Sequence, residues 1–303
     1  MKVALATLVG AFLITAVHAQ DQAGQRAPFQ SRAEVVALTV TVQGHDGSFP
    51  RHLAADDFQV SENGVPQTIS FFDAGSVPVD LTLLVDSSAS MNYILPAVKH
   101  AASTLVESLK PEDRACVLTF GGSVRQRAAF TSEHPVLLDA IKRMSAGGST
   151  PLFDALYVAL RNFDRGKSPS EVRRRAVVVF SDGDDTASLV SYDMVLELAR
   201  ETGTAIYTIM LKPPAPVKDG RTMRNDFQMR RLAEETGARA LVALQESHLD
   251  PLYRSIASEL AHQYSLGYVP AVVPEKHRFA RIAVAVPGKN FIVRARSGYL
   301  AQN

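Results

Sequence analysis

The chain has 303 residues, with 32 basic and 31 acidic side chains and a formal net charge of +1. That balance excludes the basic excess of a nucleic-acid binder and gives no electrostatic case for binding an anionic membrane surface. A single cysteine, Cys116, excludes an internal disulfide, so the fold must stand on its apolar core.

Residues 1–19 read as a secretory signal peptide. Lys2 supplies a positive start, and Val3 to Val17 is apolar apart from Thr7 and Thr15. Val17-His18-Ala19 places small residues at the positions that favour cleavage after Ala19. The alternative, an uncleaved anchor, needs ~20 apolar residues, more than this run supplies. Cleavage removes Lys2 and leaves 31 basic against 31 acidic side chains over 303 − 19 = 284 residues. The expected location is exported: periplasm, cell surface or medium. Residues 20–31 are polar, with Gln, Gly and Pro, and read as a flexible leader.

Residues 32–76 form an N-terminal β segment. Val35, Val36, Leu38, Val40 and Val42 alternate or run apolar, and Gly44-His45-Asp46-Gly47 is a turn cluster. Phe58 to Val60 and Thr68 to Phe72 flank Glu62-Asn63-Gly64, which predicts a hairpin. This unit is too short to bury a good core alone.

Over residues 79–262 the rhythm becomes α/β. Apolar strands are predicted at Val79 to Val85, Ala115 to Phe120, Val124 to Phe130, Ala176 to Phe180, Thr204 to Met210 and Ala240 to Val242. Helices are predicted at Ile94 to Leu109, Pro135 to Met144, Pro151 to Phe163, Tyr192 to Thr202, around Leu232 to Glu235, and Leu249 to His262. Apolar strands interleaved with helices imply a doubly wound, mostly parallel sheet covered on both faces. Lys212 to Asp226, with three prolines and a glycine, reads as an exposed loop. Residues 263–303 return to β, with strands at Tyr264 to Val269, Phe279 to Val286 and Phe291 to Arg296. Two incomplete β segments flanking one complete domain suggest a single accessory β unit built from both ends of the chain.

Ligands bind such sheets at the carboxyl ends of the strands. Three polar clusters fall there: Asp86-Ser87-Ser88-Ala89-Ser90, Gly147-Gly148-Ser149-Thr150, and Ser181-Asp182-Gly183-Asp184-Asp185. They offer hard oxygen donors and no Cys or His, which suits magnesium, manganese or calcium rather than zinc or copper. Alternate residues of an extended loop point the same way, so Asp86, Ser88 and Ser90 can converge on one point. Thr150 adds a hydroxyl and Asp182 a carboxylate. Two carboxylates and three hydroxyls barely neutralise a divalent cation. It keeps affinity for one more anionic oxygen, such as an Asp or Glu carboxylate on a protein partner.

DSSAS after an apolar strand, GGST before a helix and FSDG after a second apolar strand resemble the metal-ion-dependent adhesion site of von Willebrand factor type A domains. The resemblance implies a Rossmann-like fold and protein–protein binding through a divalent cation, most simply magnesium, held by Asp86, Ser88, Ser90, Thr150 and Asp182. Three further stretches resemble an exported bacterial group related to these domains: Asp57 to Gly64, Gln263 to Pro270, and Ala295 to Tyr299. Some family members couple the metal to movement of the last helix, here Leu249 to His262.

Blander readings stand beside this one. Asp86 and Ser88 suit the cap of the following helix, and Thr150-Pro151 suits a helix start. Asp184 and Asp185 read as solvated loop residues, Arg173 to Arg175 as a solvated strand edge, and Cys116 as a buried small hydrophobe. Gly166-Lys167-Ser168 lacks the earlier glycine and the strand of a phosphate loop. A metal-dependent hydrolase would want a carboxylate where Ser88 stands, and no general base accompanies the cluster. A purely structural metal module is the other alternative.

Overall fold

The computed structural model describes residues 35–301 except 51, 164–171, 183–184, 212–219 and 273. The signal peptide, the leader, Gly166-Lys167-Ser168 and Asp184 lie outside the described residues. The chain opens with β1 (Val36–Gly44), β2 (Gln59–Glu62), β3 (Val65–Gln67) and β4 (Ile69–Asp73). The α/β part follows as β5 (Val79–Asp86), α1 (Leu95–Glu107), β6 (Arg114–Gly121), β7 (Ser123–Thr131), α2 (His134–Lys142), α3 (Leu152–Asn162) and β8 (Arg174–Ser181). It continues with α4 (Tyr192–Thr202), β9 (Ala205–Leu211), α5 (Gly220–Glu235), β10 (Ala240–Ala243) and α6 (Leu249–Ala261). The last strands are β11 (Tyr264–Tyr268), β12 (Phe279–Ala285), β13 (Phe291–Arg294) and β14 (Gly298–Leu300).

The six-stranded sheet runs β10-β9-β8-β5-β6-β7, parallel throughout except for β7, which pairs antiparallel with β6. Strand β5 reads as a continuous apolar run because both of its faces are covered. Leu81, Leu83 and Val85 pack under Val98 and Leu105 of α1 and Tyr253 and Ile256 of α6. Leu84 faces the other way, with Cys116 and Leu118, under Leu152 and Leu156 of α3 and Leu198 of α4. Cys116 is fully buried and lies 3.2 Å from the Thr82 hydroxyl, and burial pushes its thiol up to about 11. This is the inert core cysteine expected from the sequence.

The two ends of the chain interleave, but in two antiparallel sheets rather than the single completed one: β13-β1-β11-β4 and β14-β12-β2-β3. Val40 of β1 faces Tyr264 of β11, and Val42 faces Val293 of β13. Val60, Phe58, Leu266 and Ile282 share their core. The Asn63-Gly64 turn forms as expected, with φ of 51° and 84°, both positive as a two-residue hairpin turn requires. Its second strand is β3, not Thr68 to Phe72. Pro66 disguised β3, and it is tolerated because β3 is an edge strand. The chain then crosses to the other sheet, where Phe71 pairs with Gly267 of β11. Strand β14, which pairs with β12, was not anticipated.

Two further expectations fail. Residues 220–226 are helical, not loop: α5 starts at Gly220 and buries Asn225, Met229, Leu232 and Ala233, a helical spacing hidden by polar neighbours. The segment Arg173 to Arg175 is not a solvated edge. Arg173 Nε donates to Asp80 at 2.6 Å. Arg174 is buried and donates to the carbonyls of Val77 and Leu260 at 2.8 and 2.7 Å.

Polar hubs fasten the accessory strands to the α/β part. Glu259 of α6 is fully buried and accepts from Thr41 of β1, Tyr207 of β9 and Arg294 of β13, at 3.2, 2.9 and 2.8 Å. Arg239 completes the set at 2.8 Å. Within the accessory sheets, buried Glu62 accepts from Tyr268 and Tyr299 at 2.6 and 3.1 Å. The three stretches that resemble the exported bacterial group therefore converge on one carboxylate. No helix among the described residues is long and apolar enough to cross a membrane.

Candidate metal-ion site

Asp86 ends β5 and Asp182 follows β8, the adjacent parallel strand, so register alone sets the two carboxylates side by side at one sheet edge. Asp86 is fully buried. One carboxylate oxygen accepts from the Ser88 amide at 2.8 Å and the other from the Ser181 hydroxyl at 2.7 Å. The Ser88 and Ser90 hydroxyls lie 3.0 Å apart, and Ser90 donates to Asp182 at 2.7 Å. Ser88, Ser90 and Asp182 thus meet through side-chain oxygens, and Asp86 joins them through the Ser88 amide.

Thr150 arrives by its backbone. Gly147 donates to the Ser87 carbonyl at 2.7 Å, Ala89 to the Gly148 carbonyl at 3.1 Å, and Gly122 to the Ser149 carbonyl at 2.7 Å. Thr150 is buried, and its peptide pairs with Thr186: the Thr150 amide donates to the Thr186 hydroxyl at 3.1 Å, and the Thr186 amide returns to the Thr150 carbonyl at 3.0 Å. This backbone-to-backbone packing admits no side chain. A Cβ on Gly121 would come within 2.5 Å of the carbonyl oxygens of Ser87 and Gly147. Gly148 has φ +86°, and a Cβ there would fall 2.6 Å from the Gly122 amide.

A helix does start directly after Thr150-Pro151, as the blander reading expected, but its N-cap, Pro151, makes no side-chain cap bond. Ser88 precedes a 3-10 turn, Ala89–Tyr93, without a side-chain cap bond. The first amides of α3 are capped by Asp185, which accepts from Leu152 at 2.9 Å, and by Ser188, which accepts from Phe153 and Asp154 at 2.9 and 3.1 Å. Asp185 is therefore a helix cap rather than a solvated loop residue. Ser181, Asp185, Thr186 and Ser188 were missed as supports of the site. For Ser181 the signal was its place directly before Asp182.

Among the described residues, no basic side chain pairs with Asp86. Burial pushes its carboxyl up to about 6, against the hydrogen bonds from Ser88 and Ser181, and the neighbouring Asp182 adds to the rise. A buried carboxylate without a cationic partner is costly. The described residues contain no cluster of three or more His, Cys, Asp or Glu. The donors here are two carboxylates and hydroxyls, a set that fits a hard divalent cation.

A parallel sheet with one antiparallel edge strand, and three oxygen-bearing loops meeting at its carboxyl end, define an α/β domain of the von Willebrand factor A type. The chain belongs to the von Willebrand factor type A domain family, which matches residues 80–252. A UPF0353 protein of Mycolicibacterium paratuberculosis is 24% identical over 205 residues, 60% of this chain and 61% of that protein. The collagen alpha-1(VI) chain of Mus musculus is 28% identical over 206 residues, 62% of this chain and 19% of the collagen. This chain therefore spans less than two thirds of either relative. A solved von Willebrand factor type A structure from Catenulispora acidiphila, 12% identical, covers 82% of this chain and 74% of its own, with a TM-score of 0.52. That likeness concerns the fold.

Proposed function

We propose that this protein is an exported, non-catalytic protein-binding module whose Asp86, Ser88, Ser90, Thr150 and Asp182 hold one divalent cation, magnesium or its close substitute manganese. The observation that carries the reading is the meeting of three loops around Asp86, a fully buried carboxylate with no basic partner among the described residues. A bound cation supplies Lewis acidity and an open coordination position for an Asp or Glu of a protein partner. The chain's own part is positional. Ser181 and the Ser88 amide fix the Asp86 carboxylate, Ser90 orients Asp182, and the glycine-lined backbone contacts hold the segment that leads into Thr150 against the β5 loop. In this reading both carboxylates are taken up by the cation, and no His or Lys stands among these residues to serve as a base, which favours binding over hydrolysis.

Calorimetric titration of magnesium, then manganese, into the metal-free full chain tests the reading. Saturable one-to-one binding is expected, weakened at least tenfold in both Asp86→Ala and Thr150→Ala. Absence of binding to the unaltered chain would falsify it and leave the loop clusters as scaffold.

A further inference from the structure

We propose that a cavity in the accessory β unit, beside the edge strand β3, is a second binding site, which takes a lysine side chain of a protein partner with Glu62 as its counter-ion. The site stands apart from the Asp86 loops and does not rest on the metal reading. The cavity measures about 160 Å³ and is lined by Glu62, Asn63, Val65, Gln67, Val272 and Pro274. Val65 and Val272 are 44% and 68% exposed, so it opens to solvent, whereas Glu62 is only 4% exposed. Both tyrosine hydroxyls that hold Glu62 bond the same carboxylate oxygen, Oε2. The other, Oε1, has no hydrogen-bond partner among the described residues, and no basic side chain among them pairs with Glu62.

The other polar groups of the cavity are committed to its walls. Gln67 donates to the Val65 carbonyl at 3.0 Å and accepts from the Ala271 amide at 2.9 Å, which ties the segment before Val272 to β3. Asn63 accepts from the Arg281 amide at 2.9 Å. Arg296 lies over the Tyr299 ring and donates to the carbonyls of Ala37 and Arg200 at 2.9 and 3.4 Å, so it acts on Glu62 only at a distance. What remains is an apolar-walled hole with one open carboxylate oxygen. A buried carboxylate gains most from a cation that bonds it directly. A lysine fits on three counts. Its stem buries along apolar surface while its head seeks charge. A cavity of ~150 Å³ takes a six-carbon ring, so there is room here for four methylenes and an ammonium. A guanidinium wants both carboxylate oxygens in a fork, and with Oε2 taken a point-charge ammonium is the better match.

The test follows amide NMR shifts of the full chain with chelator present, so that the Asp86 loops stay out of the result. The probes are an acetylated and amidated Ala-Lys-Ala peptide, its arginine counterpart, n-butylammonium and n-butanol. The lysine peptide is expected to bind saturably and to shift the Asn63, Val65 and Gln67 amides. n-Butanol should bind at least about tenfold more weakly than n-butylammonium, the loss of one charge-assisted hydrogen bond. Glu62→Gln should weaken the lysine peptide by a similar factor, since glutamine still accepts from the tyrosines. Val65→Trp fills the cavity from an exposed position and leaves Glu62 in place, so it decides the matter should Glu62→Gln fail to fold. It should abolish binding with the unfolding midpoint unchanged. A lysine peptide that shifts nothing, or binds Val65→Trp as well as the parent, overturns the site. Equal affinity of n-butanol and n-butylammonium overturns the role of Glu62, and equal affinity of the two peptides overturns the preference for lysine. Binding of n-butylammonium with the lysine peptide excluded overturns the protein partner in favour of a free amine.

Discussion

Asp86 illustrates how one residue can be costly to the fold and useful to the site. Water is removed from its carboxylate, two hydrogen-bond donors hold it, and burial still raises it to about 6. The folded value exceeds the unfolded one, so the folded state holds a proton that the unfolded state has already released between about pH 4 and 6. Stability of the metal-free protein therefore falls as pH rises through that window, and the cost is fully present at pH 7, on the order of 3 kcal/mol. A divalent cation offsets that cost by supplying the missing positive charge. Asp86→Asn should consequently stabilise the metal-free protein at pH 7 by roughly 1–3 kcal/mol and flatten its stability between pH 4 and 7. Thermal unfolding across pH with chelator present checks this, and a variant less stable than the parent at pH 7 would sink the account.

At the level of elements, the site is a problem of loop packing. The β5 loop, the β6–β7 turn and the segment before α3 touch main chain to main chain, and the glycines make that approach feasible. Gly148 is the sharper case, because its φ of +86° is unfavourable for an L-residue and a Cβ would meet the Gly122 amide at 2.6 Å. Gly148→Ala should cost at least about 1 kcal/mol through the backbone alone. It should weaken manganese binding more than it lowers the unfolding midpoint, because the displaced segment is the one that carries Thr150. Paired calorimetry and thermal unfolding separate the two effects. Wild-type affinity in this variant would show that Thr150 need not be so closely placed.

For the whole molecule, the accessory strands are fastened to the last helix of the α/β part. Glu259, buried in α6, gathers donors from β1, β9 and β13 together with Arg239. Gln263 extends the hub by donating to Tyr207 and Thr41 at 2.9 and 3.1 Å and accepting from Arg174 at 3.0 Å. Removing one member of a buried charged set leaves its partners unpaired. Glu259→Ala should therefore cost about 3 kcal/mol or more, even though Arg239 and Arg294 retain some exposure. It should also split one cooperative unfolding transition into two as the accessory sheets part from the α/β domain. Calorimetric unfolding reads both effects, and a single unshifted transition would contradict the role assigned to the hub.

Some of this was legible in the sequence because it depends on local pattern. Apolar runs with helical segments between them set the parallel sheet, and chain order placed Asp86 and Asp182 at strand ends. Asn63-Gly64 announced its own turn through the positive φ it favours. The short strand β3 was hidden by Pro66, and the start of α5 by polar residues whose buried members are few. What depends on distant partners was not legible. Arg173 and Arg174 looked solvated because nothing near them in sequence reveals Asp80 or the carbonyl of Leu260. Asp185 looked idle because the helix it caps begins 33 residues earlier. The sequence by itself determined the fold class and the oxygen-rich residues at the strand ends, since strand period and residue chemistry are local properties. Only the tertiary structure decided that both chain ends knit into two sheets on Glu62 and Glu259, and that Asp185 and Ser188 cap α3, because burial and hydrogen bonding are settled by contacts between residues far apart in the chain.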